Sequence, residues 1–260
     1  MIRATLILAL ALVAGTSLAE VEDLRWELLK KMPHSRSDFT QGLEIRDGKL
    51  YQGTGKWTQS RLQVFDLETG RLLRERRLPD PYFGEGVTVL DERVIQLTWR
   101  LQRGLVFARK DLRPLGQFAI PGQGWGLTND GQRLIYSDGS HLLRFISPQD
   151  WSIKGSQAVT LRGEPLPLLN ELEWTPDGLY ANVWKSEFIY RIDLDSGAVN
   201  GQIDLRGILP AEEREPETDV LNGVAYDRAD NTFWVTGKNW PWLYQIRLCG
   251  SDCETAAKTQ

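Results

Sequence analysis

Histidine, cysteine and methionine are nearly missing from this chain, with two of each among 260 residues. His34 and His141 lie far apart, and Cys249 and Cys253 are confined to the tail. No spacing therefore matches a zinc site, and no histidine stands where a Ser–His triad would need one. Both histidines are expected to be turn or surface residues. An excess of positive charge is missing too: 31 Lys and Arg face 35 Asp and Glu, for a net charge of −4, without a basic stretch. That excludes a phosphate-neutralising surface, so no nucleic-acid partner is expected. Long apolar runs are absent except from Ala4 to about Gly15, which is short of the roughly 20 residues a bilayer span needs. Arg3 before this run, and Ser17 and Ala19 after it, predict a signal peptide over residues 1–19, cleaved after Ala19. An uncleaved anchor is the alternative. The mature chain is expected to be secreted or periplasmic, with no membrane attachment once the signal is removed. The tail, residues 249–260, contains CGSDC, and in an oxidising compartment its two cysteines suit a small disulfide loop. Two free thiols are the alternative.

What is abundant points elsewhere. Ten Trp and 24 Gly suit short strands joined by tight turns better than helices. The triplet Gln41-Gly42-Leu43 has echoes at Glu85-Gly86-Val87, Trp125-Gly126-Leu127, Asn170-Glu171-Leu172 and Asn222-Gly223-Val224, at intervals of 44, 40, 45 and 52 residues. A turn such as RDGK or TPDG follows each triplet, then two further apolar strands. Units of four strands repeating every 40–50 residues are the pattern of β-propeller blades. Five units predict an all-β, five-bladed propeller over residues 20–248, with a two-layer sandwich as the alternative. The last unit ends after its third strand, near Leu248, so its fourth is expected from Trp26–Met32, closing the ring and protecting its edges. Residues 207–219 stretch the last interval and are expected to form an acidic surface loop.

The first strand of each blade should line the central channel. The first residue of each triplet then faces the channel mouth: Gln41, Glu85, Trp125, Asn170 and Asn222. Their types diverge within a regular frame, as in a built site, although a wet channel tolerant of any polar residue would look similar. The ends of the second strands add Trp99, Trp184 and several cations, among them Lys238. Two other motifs lead nowhere. PGQGWGL lacks the βαβ context of a dinucleotide loop. Glu171 and Glu173 share a strand face, but Glu44 matches Glu173 in the first unit, which favours a blade-supporting role over acid/base chemistry. One carboxylate remains, Glu85, among amides and indoles. Partial desolvation there would raise its pKa and suit it to taking and returning a proton.

The segments FTQGL, FGEGVT, LTW, GWGL, NELEW, VWKS, DVLNGVAYD and TGKNWP, in this order from about Asp38 to Leu248, resemble the plant and bacterial type of glutamine cyclotransferase. The resemblance implies a metal- and cofactor-independent five-bladed propeller that converts N-terminal glutamine of peptides or proteins to pyroglutamate, releasing ammonia. It implies Glu85 as acid/base, with Asn170 and Lys238 beside it in catalysis. It also implies substrate contacts from Gln41, Phe39, Phe83, Trp99, Trp125 and Trp184. Gln41, Asn170 or Lys238 would serve the oxyanion. A monomer is expected. A non-catalytic propeller binding peptides or sugars, and a metal-dependent propeller lactonase, are the competing readings.

Overall fold

A computed structural model describes residues 20–249; the expected signal peptide, 1–19, and the tail beyond Cys249 lie outside them. Five antiparallel four-stranded sheets follow one another along the chain. They begin at Thr40–Arg46, Gly84–Leu90, Leu127–Asn129, Leu169–Thr175 and Leu221–Asp227. These five first strands pack against one another in a closed ring, as the repeat predicted. The fifth blade takes its fourth strand from Arg25–Pro33, which runs antiparallel to Trp242–Cys249 with Trp26 opposite Leu248. Chain closure by the N-terminal segment is therefore as expected. One addition was not: Glu22–Asp23 pairs in parallel with the outer strand Val199–Asp204 of the fourth blade.

Burial falls from the axis outwards. Every residue of Gly84–Leu90 is buried, whereas Leu72–Arg77, a fourth strand, is mostly exposed. An inner strand has blades on both faces; an outer one has solvent at its edge. Among the described residues the buried apolar side chains fall into five clusters, each between neighbouring blades. Leu43, Ala225 and Trp234, for example, share the junction between the fifth blade and the first. Each fully buried Val, Leu or Ile contributes about 1.5–3 kcal/mol, so the ring is held by its blade-to-blade seams. Its centre is left to polar groups.

The repeated glycines have a direct cause. A Cβ on Gly42 would stand 2.4 Å from the Val87 nitrogen, one on Gly86 2.4 Å from the Leu127 nitrogen, and one on Gly126 1.9 Å from the Asn170 carbonyl oxygen. Each glycine thus lets the next inner strand approach closely. Polar side chains then fasten the strands together. Glu44 Oε2 accepts from the Val89 nitrogen (3.0 Å), and Glu173 Oε1 from the Tyr226 nitrogen (3.0 Å). Glu171 accepts from two strands at once, the Leu43 nitrogen at 3.1 Å and the Val224 nitrogen at 2.8 Å.

Two local expectations change. Residues 207–219 are not simply a surface loop: Ile208 and Leu209 are buried in the seam between the fourth and fifth blades. Glu213, in the short 3-10 turn Ala211–Glu213, pairs with Lys31 at 2.6 Å. Apolar residues at the start of that segment gain more by filling the seam than by staying in water. His34, expected as a turn or surface residue, lies between a strand and a turn but is half-buried, with Nδ1 2.9 Å from the Trp240 carbonyl oxygen and Nε2 3.0 Å from Gln52 Oε1. Cys249 is disulfide-bonded; the other cysteine of the sequence, Cys253, lies outside the described residues.

Candidate active site

At the mouth the inner strands break their own register. Pairing shifts between Thr40 and Gly42, Gly84 and Val87, Leu169 and Leu172, and Leu221 and Val224. These four breaks bracket Gln41, Glu85, Asn170 and Asn222. In the third blade the strand starts only at Leu127, so Trp125 precedes it. A bulge releases a residue from strict alternation and turns its side chain out of the pleat. Here it frees Gln41, Glu85, Asn170 and Asn222, all four buried, from that alternation.

Glu85 is 3% exposed. Gln41 Nε2 donates to Glu85 Oε1 at 2.9 Å, while Gln41 Oε1 receives the Asn222 amide at 3.4 Å. Asn222 is itself fixed by its bond to the Thr40 carbonyl oxygen at 3.0 Å. The relay Asn222–Gln41–Glu85 therefore uses both ends of the Gln41 amide. Burial pushes the Glu85 carboxyl well above the usual carboxylate range, against the opposing pull of the Lys238 charge and the Gln41 hydrogen bond. Lys238 is 5% exposed, with Nζ 4.8 Å from the centre of the Phe39 ring. Desolvation lowers its pKa, while Glu85 and Asp219 oppose that shift. The loss of hydration on burial is what moves both groups towards their neutral forms. Asn170 is buried too, and its Oδ1 has no hydrogen-bond partner among the described residues. An unpaired buried acceptor is costly and suits a donor brought by a ligand.

Aromatic rings form two groups at the neighbouring strand ends. Phe83 stands 6.3 Å from Phe39 and 5.4 Å from Trp99, centre to centre. Trp125 and Trp184 meet edge to face at 6.1 Å. Gly55 makes room for the first wall, since a Cβ there would fall 2.4 Å from the Phe83 ring. Of the expected site residues, Gln41 touches Glu85, Lys238 acts on it electrostatically, and Phe39 lies against Lys238. No direct bond joins Asn170 to Glu85.

Three neighbours escaped the reading of the sequence. Gln123 Oε1 accepts both the Trp99 indole N–H (2.6 Å) and that of Trp125 (3.0 Å), tying the two aromatic walls together. Its signal was the segment dismissed as a failed dinucleotide loop, where Gln123 stands two residues before Trp125. Asn222 was placed in the ring but given no role, because only contact shows that it orients Gln41. Trp57 packs 5.3 Å from Phe83 and 6.1 Å from Trp99. It lies three residues beyond Thr54, whereas Trp99 and Trp184 directly follow their second strands, so matching by register passes over it.

Such a site can exchange a proton through Glu85 and offer a cation and an unpaired amide oxygen to an uncharged substrate. Among the described residues no group of three or more His, Cys, Asp or Glu is arranged to hold a metal ion. The sequence model of the family described as glutamine cyclotransferase matches residues 2–248. The chain is 37% identical over 228 residues to a glutaminyl-peptide cyclotransferase of Arabidopsis thaliana, covering 85% of this chain and 71% of that protein. It is also similar to the crystal structure of Myxococcus xanthus glutaminyl cyclase, with a TM-score of 0.80 and 33% identity over 87% of this chain and 98% of that one.

Proposed function

The chain belongs to the glutamine cyclotransferase family, and on that premise we propose how it converts the N-terminal glutamine of a peptide to pyroglutamate with release of ammonia. The neutral α-amine of the substrate attacks the carbonyl carbon of its own side-chain amide, and a C–N bond closes the five-membered ring. Glu85 takes the proton that the amine sheds. It returns a proton to the amide nitrogen, so that the breaking C–N bond expels ammonia rather than an amide anion. A carboxyl with a raised pKa is matched to both transfers. Nucleophile and electrophile are tethered already, so the aromatic walls serve to fold the glutamine side chain back on its amine.

Lys238 is the donor best suited to the developing oxyanion. Gln41 has its amide committed to Glu85 and Asn222, whereas no protein acceptor binds the Lys238 ammonium among the described residues. One such donor is worth about 2.7–4 kcal/mol of transition-state stabilisation. Asn170 offers its unpaired Oδ1 to an N–H of the substrate. The reading rests chiefly on Glu85: a carboxylate lifted from the pleat, buried, and held by a side-chain amide instead of backbone N–H groups.

We further infer that residues 1–19 are a signal peptide and that residues 20–248, the catalytic propeller, act as a secreted or periplasmic monomer. Among the described residues no helix is long and apolar enough to cross a membrane. The test of function is incubation of the full chain with a Gln-initiated peptide. The expected outcome is stoichiometric ammonia and a product lighter by one ammonia, unaffected by a chelator. Binding without ammonia release would favour a peptide-binding propeller, and loss of activity with chelator the lactonase reading.

A further inference from the structure

Trp57 is an exposed ring on a built loop. It is 46% exposed, yet the residues on either side adopt left-handed backbone conformations, Lys56 with φ 88° and Thr58 with φ 63°. Side chains bearing a Cβ rarely adopt that region, least of all a β-branched threonine, and it persists only where the surroundings enforce it. Enforcement is visible here. Ser60 Oγ donates to the Lys56 carbonyl oxygen at 2.7 Å and accepts from the Gly84 nitrogen at 2.9 Å. Arg77 donates to the Thr58 carbonyl oxygen. The loop that presents Trp57 is thereby fastened to the residue next to Glu85.

Its ring continues the aromatic wall outwards. Phe39, Phe83 and then Trp57 with Trp99 form an unbroken row from the buried cluster to solvent. Cations edge the row: Arg100 lies 3.9 Å over the Trp99 ring, and Lys56 lies 5.6 Å over Phe39. Neither is in an ion pair among the described residues. Once glutamine is folded against Glu85, its peptide bond must carry the chain out of the mouth. The side chain of the second residue emerges one residue further, roughly 3.3–3.6 Å along an extended chain.

We propose that Trp57 and Trp99 form a subsite for the side chain of the second residue of the substrate peptide, which takes an aromatic ring and rejects a basic group. This rests on the glutaminyl-peptide reading above. Rings meeting edge to face or offset supply the attraction. Lys56 and Arg100 supply the discrimination by like-charge repulsion, which added salt weakens.

The test compares kcat/KM of the full chain on Gln-Phe-amide, Gln-Ala-amide and Gln-Lys-amide by ammonia release. The expected result is Phe favoured over Ala by about three- to tenfold, and Lys below Ala by a margin that shrinks with salt. W57A should bring the Phe-to-Ala ratio close to one, and W57F should keep most of it. Equal losses on both peptides in W57A would overturn the subsite, leaving Trp57 a support for Phe83. Loss of the preference in W184A but not in W57A would also overturn it, by directing the second residue over the fourth blade. So would turnover without any side-chain preference in the parent chain. Absence of ammonia from all three peptides would instead sink the reading on which the subsite rests, and the subsite with it.

Discussion

Glu85 and Glu171 are the same residue type at nearly the same station of the repeat, buried to nearly the same degree. Desolvation pushes both carboxyls well above the usual range. Their partners separate them. Glu171 accepts from two backbone nitrogens of two other blades, so its oxygens are consumed in closing the ring. Among the described residues, Glu85 has one side-chain amide and a nearby cation, and no backbone nitrogen. Burial alone does not make a carboxylate an acid/base; what matters is whether its oxygens are free to exchange a proton.

The sharpest way to break this contrast is to neutralise Glu85. E85Q keeps an oxygen for the Gln41 amide but cannot carry a proton. Ammonia release should fall by about 10²–10⁴-fold, the usual worth of general acid–base catalysis, with the fold retained by circular dichroism. Near-normal turnover would remove Glu85 from its role. At Glu171 the weight should fall on stability. E171A leaves the Leu43 and Val224 N–H groups without acceptors, each costing about 1–3 kcal/mol. Denaturant unfolding should show a loss of that order, with E171Q, which keeps one acceptor, intermediate. An E171A chain as stable as the parent would contradict the bracing role.

The smallest effect concerns pH. The folded-state pKa of Glu85 lies above its unfolded value, so between the two the folded chain holds the extra proton. Its contribution is fully present below the unfolded pKa, near the ordinary carboxylate value, and is lost as pH rises through the folded one. E85Q removes this loss. Its melting temperature should exceed that of the parent at neutral and higher pH, with the gap closing towards mildly acidic pH. A gap that widens on acidification would mean that Glu85 is stabilised as a carboxylate, contrary to the geometry.

Much of the fold was legible in the sequence. The intervals between Gln41, Glu85, Trp125, Asn170 and Asn222 predicted five blades, and the missing fourth strand of the last unit predicted closure by Trp26–Met32. Lys238 and Lys185 show where sequence matching fails. Matched by sequence they share a position in the repeat, yet Lys238 is buried beside Glu85 and Lys185 is exposed over Trp184. The reason is register: Gly237 pairs with Leu221 as Thr54, Thr98 and Val183 pair with Thr40, Gly84 and Leu169. Lys238, whose N–H bonds to Val220 as that of Trp184 bonds to Leu168, therefore occupies the station of Trp99 and Trp184. Gln123 and Trp57 were missed for a related reason. Their partners lie in other blades or other loops, and only side-chain contact assigns them.

The order of turns, apolar strands and glycines determined the propeller and its closure, because strand alternation and close approach of backbones are local demands that a linear chain records. The tertiary structure decided which buried carboxylate braces and which is left to react. That depends on which backbone nitrogens arrive beside each one from blades far away in sequence. Glu44, Glu171 and Glu173 receive such nitrogens; Glu85, turned out by its bulge, receives only the Gln41 amide among the described residues.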